Sequence, residues 1–120
     1  MAKITCCIRY GIAGGKTDAF AHYARVWRRI LERLGATYHG CFMPAEQPPD
    51  AAHFSFPDLG RSGPDNVAVV LFSFDDLAAY ERYRREAGND SECAGVTAHL
   101  HETQCITMYE RSFLTPLDDR

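Results

Sequence analysis

Apolar and polar residues alternate from Lys3 to Ile12, with Ile4, Cys6, Ile8, Tyr10 and Ile12 on one side and Thr5, Cys7 and Arg9 on the other. A period of two is the signature of a strand with one covered face. Ala13-Gly14-Gly15 then reads as a turn, and the period changes. Phe20, Tyr23, Ala24, Trp27, Ile30, Leu31 and Leu34 recur every three or four residues, one stripe of an α-helix, with Asp18, His22, Arg25, Arg29 and Glu32 opposite. Thr17 and Asp18 carry oxygens suited to capping its first amides, and Gly35 suits the left-handed conformation that stops it. Ala36 to Met43 alternates once more. It predicts a strand returning antiparallel beside the first, ended by Pro44, which has no amide to donate to a ladder.

Residues 44–66 hold five of the six prolines and no sustained period, so they read as a long proline-rich loop. Connections above roughly 12 to 15 residues are uncommon and often form lids or binding loops. His53, Phe54, Phe56 and Leu59 make this one too apolar for a solvated linker, which predicts that it packs against something. Val67 to Phe74 is a continuous apolar run rich in β-branched and aromatic residues, expected as a central strand covered on both faces. Asp75 is the expected cap of a second helix that carries Leu77, Ala78, Tyr80 and Tyr83, runs to Ala87 and breaks at Gly88-Asn89-Asp90. Ser91 to His101 reads as a short helix or an irregular turn. Cys105 to Leu114 alternates as the last strand.

The order β, α, β, β, α, β places the chain in the α+β class. It predicts a ferredoxin-like, four-stranded antiparallel sheet with two helices over one face. Either Cys7, Ala68, Val70, Phe72 and Phe74 or their alternating neighbours must then lie on the uncovered face. An exposed apolar sheet face of that size marks an association surface.

Composition narrows the function classes. A chain of 120 residues fits a single domain, 1–120, and its 46% apolar and 24% charged residues are those of a folded protein. The formal charge is -3 with both signs interspersed, so no nucleic-acid partner is expected. Arg25, Arg28, Arg29, Arg33, Arg82, Arg84 and Arg85 read as solvated helix faces. No apolar run is long enough to span a bilayer, so no membrane association is expected. MAKITCCIRY reads as the start of a strand and not as a signal peptide, which points to a cytoplasmic protein. Cys6, Cys7, Cys41, Cys93 and Cys105 are odd in number and lack C-x-x-C spacing, as reduced thiols would be.

ITCCIRYGI, DAFAHYARVWRRILERLGATYHGCFMP, VLFSFDDLAAYERYRR and YERSFLTPL together resemble the NIPSNAP-type members of the dimeric α+β barrel superfamily. The resemblance covers nearly the whole chain outside the proline-rich loop. It implies a homodimer in which two sheets face each other as a barrel with the helices outside. It implies no particular reaction. Other branches of that superfamily include cofactor-free quinone-forming monooxygenases, haem-binding and haem-degrading enzymes, and lactone isomerases. Their reactive pockets usually lie within a subunit, between sheet and helices. None of their catalytic residues matches a position here.

The candidate chemistry is sparse. His99 and His101, or His39 and Cys41, would share a face if extended, and imidazole and thiolate suit zinc, yet no third spaced ligand accompanies either pair. No metal and no cofactor is implied. His39 and Cys41 as base and nucleophile would stand parallel on one strand, so Cys41 reads as a small space-filling group. Trp27, in mid-helix, must point at the sheet, either as core or as the wall of a ligand pocket. Around it, Arg9 or Tyr10, His39, and Tyr109 or Glu110 could orient a small apolar or aromatic ligand. Arg9 also offers Glu110 a structural ion pair. With the apolar sheet face and the homodimer that the resemblance implies, these residues give the expectation of a homodimer that could bind such a ligand. Three alternatives stand beside that reading. One is a cofactor-free monooxygenase or isomerase with His39 as base, another a haem protein using His99 or His39, and the third an adaptor gripping its partner through Phe54 and Phe56.

Overall fold

The computed structural model describes residues 3–49 and 54–119; His53 lies outside them. The alternating N-terminal segment is strand β1 (Ile4–Ile12) and the 3.6-residue stripe is helix α1 (Thr17–Arg33). Strands β2 (Thr37–Phe42) and β3 (Val67–Phe74), helices α2 (Leu77–Ala87) and α3 (Ser91–Thr103), strand β4 (Ile106–Leu114) and a short 3-10 turn (Leu117–Asp119) follow. The strands form one antiparallel sheet in the order β2-β3-β1-β4, the ferredoxin-like arrangement. β2 therefore lies beside β3 and not beside β1, contrary to the expectation from its alternation. The crossover through α1 brings β2 back parallel to β1 one strand away, and antiparallel β3 fills the gap.

Two helix starts differ from expectation. Lys16 precedes α1 with no side-chain cap, so Thr17 and Asp18 sit inside the first turn, where Asp18 still complements the helix dipole. Asp76, not Asp75, caps α2 by accepting from the Ala79 amide at 2.9 Å. Gly35 does stop α1, at φ +101. The ambiguous segment is a full helix of 13 residues, capped by Asp90 through the Cys93 amide and ended by Gln104 in the left-handed conformation. Only Cys93 and Val96 of α3 are buried, which is why its sequence shows no clear stripe.

α3 lies along a flank of α1 that the sequence assigned to solvent. His22, Val26, Arg29 and Arg33 descend that flank at helical spacing. His22 meets His99 with ring centroids 4.6 Å apart, while Arg29 and Arg33 pair with Glu92 and Asp90. Val26, off the predicted stripe, is buried between them.

Phe20, Ile30, Cys6, Phe74 and Cys105 are fully buried between helices and sheet. Ala68, Val70, Phe72 and Phe74 face the helices, so Val67, Val69 and Leu71 occupy the opposite face with Cys7. The molecule measures 46 × 41 × 18 Å, and its radius of gyration is 16.2 Å against about 14 Å for a compact chain of this length. Eighteen ångströms admit the sheet and one layer of helices, each about 10 Å across. Among the described residues no helix or strand lies over the other sheet face, where Val67, Val69 and Leu71 are half-buried and the loop residues Arg61 to Pro64 border Arg9 and Val67. In the long loop, Phe54 lies against Gly60, whereas Phe56 and Leu59, 70% and 83% exposed, are not covered by the protomer.

Candidate functional site

Between α1, α2 and the sheet lies a cavity of about 80 Å³. β1 contributes Tyr10 because inward residues recur at every second position. α1 contributes Tyr23 and Trp27, one turn apart on its buried stripe. β2 adds Tyr38, α2 adds Tyr80 and Tyr83, and β4 adds Tyr109. All six tyrosines of the chain and its single tryptophan thus line one space. Val70 and Phe72 of β3 lie among them, and Arg84 of α2 and Arg111 of β4 supply the charged part of the wall.

The rings meet edge to face, Tyr10 with Phe20 at 5.1 Å, Tyr10 with Tyr109 at 5.5 Å and Tyr23 with Trp27 at 6.5 Å. Tyr23 stands between Tyr10 and Trp27, its ring centroid 6.0 Å from the one and 6.5 Å from the other. Burial pushes the Tyr10 hydroxyl well above the ordinary phenol range and those of Tyr23 and Tyr38 up to about 12. At neutral pH these phenols are therefore uncharged. The lining contains no His, Cys, Asp or Glu, so it can orient and donate hydrogen bonds but offers no proton acceptor that titrates near neutrality.

The sheet divides the five residues expected around Trp27. Tyr10, Trp27 and Tyr109 face this cavity; Arg9, His39 and Glu110 stand on the face away from the helices. There Arg9 and Glu110, directly opposite in the ladder, form an ion pair at 3.1 Å, as the sequence suggested. With both side chains about half exposed, it contributes little to stability. His39 Nε2 lies 2.6 Å from Ser73 Oγ, which in turn is 3.0 Å from Thr5 Oγ1.

His39 and Cys41 do not share a face. A bulge between Tyr38 and Gly40, with Gly40 at φ +136, inserts one extra residue and reverses the alternation beyond it. Cys41 consequently turns inward opposite Val70, where burial raises its thiol pKa, the opposite of what a nucleophile needs. His99 and His101 lie on a helix, and His99 Nε2 is spent on the Ala19 carbonyl at 3.1 Å. Among the described residues no three His, Cys, Asp or Glu side chains are grouped as metal ligands, and no helix is long and apolar enough to cross a membrane.

The sequence model of the NIPSNAP family matches residues 6–119. The chain belongs to the NIPSNAP family. No curated protein matches it. Among solved structures, a NIPSNAP family protein with unknown function from Agrobacterium tumefaciens str. C58 superposes at a TM-score of 0.68 and 15% identity, over 96% of this chain and 88% of that one. A NIPSNAP-like domain protein from Burkholderia xenovorans gives 0.68 and 16%, over 99% and 89%. SnoaB, a cofactor-independent oxygenase from Streptomyces nogalater, gives 0.55 and 14%, over 98% and 95%. At such identities these likenesses show the fold alone.

In this NIPSNAP fold the cavity residues that sequence reasoning missed are Tyr23, Tyr38, Tyr80, Tyr83, Arg84 and Arg111. Tyr23 and Trp27 on one stripe were the available signal for the first of them. For Arg111 the signal was its place two residues beyond Tyr109 on one strand, which puts both on the same face. For α2 there was none, because the tilt of a helix over a sheet decides which of its faces meets the cavity.

Proposed function

We propose that this NIPSNAP family member is a two-fold homodimer that binds a small aromatic compound between helices and sheet. The observation that carries the pocket is the convergence of all six tyrosines and Trp27 on one space. A wall of uncharged aromatic rings with a few hydrogen-bonding tips is the usual make-up of an orienting small-molecule site. At about 80 Å³ the cavity is smaller than the roughly 150 Å³ apolar cavity that accepts benzene. A single-ring ligand therefore needs some opening, and α2, anchored by Tyr83 as its only buried residue, is the wall that can yield.

The dimer reading rests on the apolar sheet face away from the helices and would bring Arg9, His39 and Glu110 toward the partner. Ligand binding is the function proposed. A monooxygenase or isomerase using His39 would work on the far side of the sheet, remote from the aromatic cavity. Haem ligation through Nε2 would first have to break the His39–Ser73 or His99–Ala19 hydrogen bond.

Trp27, being the only tryptophan, reports on the cavity directly. Titration with a panel of single-ring phenols and quinones should quench its fluorescence saturably for at least one compound. Absence of saturable quenching across the panel, in a protein shown to be folded, would overturn the pocket reading.

A further inference from the structure

We infer that the ligand of this cavity is an aromatic carboxylate, its ring among the tyrosines and its carboxylate on Arg84 and Arg111. The inference rests on the pocket reading and adds the charge of the ligand to it.

The two guanidiniums set the argument. Arg9, Arg28, Arg29 and Arg33 each have a carboxylate partner. Among the described residues Arg84 and Arg111 have no ion pair, and no Asp or Glu lines the cavity they border. Arg25, Arg61, Arg82 and Arg85 also lack ion pairs but do not line the aromatic cavity. Arg111 is held in place by lying over the Phe113 ring at 5.3 Å, while Arg84 approaches from α2. Two forks on separate elements match the two oxygens of a carboxylate better than they match any neutral group.

The rest of the wall narrows the class. The buried phenols are neutral, so they donate to an anion without repelling it. The lining offers no carboxylate or imidazole to ionise a bound acid, so a group already ionised in water suits the two guanidiniums best. A carboxylic acid meets that condition at neutral pH and a simple phenol does not.

Two probes with the same quenching ring separate charge from shape, 4-nitrobenzoate and 4-nitrobenzyl alcohol, titrated into the full chain at neutral pH with Trp27 emission as readout. The anion should bind about tenfold more tightly or better, the scale of one charge-assisted hydrogen bond. Arg84→Met and Arg111→Met should each remove most of that preference, measured as the ratio of the two affinities, and Arg85→Met, on the same helix but outside the cavity, should leave the ratio as it is. Equal binding of the two probes, or nitrobenzoate binding indifferent to both arginine variants, would overturn the charge inference and leave the pocket standing. So would an equal loss in Arg85→Met, which would indicate a diffuse field. If neither probe quenches saturably, the pocket reading falls, and this inference with it.

Discussion

Tyr23 is the central ring of the cavity wall, in edge contact with both Tyr10 and Trp27. Tyr23→Ala, which removes a buried ring from both contacts, should lower unfolding stability by about 3 kcal/mol and shift Trp27 emission; urea unfolding followed by fluorescence reads both. The same burial sets an alkaline limit. Tyr23 and Tyr38 are raised from 10.0 to about 12, so the folded chain keeps protons that the unfolded chain releases near 10. Their contribution to stability is complete below about 10 and is lost as pH rises through about 12. Phenolate absorbance followed together with circular dichroism should show these tyrosines ionising only as the fold opens. Much of this was legible residue by residue. Period 3.6 turned Trp27 toward the sheet, and period two set Tyr10 against Arg9 and Tyr109 against Glu110 as alternatives, of which the fold turns the tyrosines inward. The His39–Cys41 relation was not, because a single inserted residue at Gly40 reverses every side chain after it, and nothing in the alternation announces the insertion.

The helices differ in how firmly they are attached, and this makes α2 the movable wall. α1 buries six residues, whereas α2 buries only Tyr83. Its start depends on one side chain, Asp76, so Asp76→Ala should cost about 1 kcal/mol and fray the helix locally. Amide exchange should then rise in Leu77–Ala87 while β1 and β3 stay protected. α3 is secured by charge. Arg33 and the Cys93 amide hold the Asp90 carboxyl down at about 2 against its ordinary 3.8. The stabilisation is present above about 3.8 and disappears as pH falls through about 2, so exchange in α3 should rise over that window. Asp90→Asn should flatten this pH dependence. The element order was readable, since periods of 2 and 3.6 are local signals. Which strand β2 pairs with was not readable, because that is decided by the sense of the α1 crossover. Nor was the full length of α3 clear, since a helix that buries only Cys93 and Val96 shows little amphipathic pattern.

At the scale of the whole molecule, the question is what covers the second sheet face. Val67, Val69 and Leu71 of β3 lie there with Cys7, beside the Arg9–Glu110 pair, and among the described residues no helix or strand lies over them. β3 was expected to be covered on both faces because both of its alternations are apolar, and one protomer supplies only one cover. A two-fold copy supplies the other most economically, since a self-complementary patch needs no second gene product. An obligate interface of this kind buries on the order of 2,000 Å² in total and contributes to the stability of each partner. Two adjacent substitutions test this by their contrast. Val70 is 5% exposed beneath the helices, so Val70→Asp places an unpaired charge in the protomer core and should abolish folding whatever the oligomeric state. Val69 faces away, so in an isolated protomer Val69→Asp should be nearly neutral. In a dimer it buries a carboxylate against the partner, and the expected product is dissociated, destabilised or aggregated. Sedimentation at micromolar concentration, with thermal unfolding at several concentrations, distinguishes the cases. Wild-type protein should sediment as a dimer whose melting temperature rises with concentration. A well-folded species of monomer mass, insensitive to Val69→Asp, would refute the dimer.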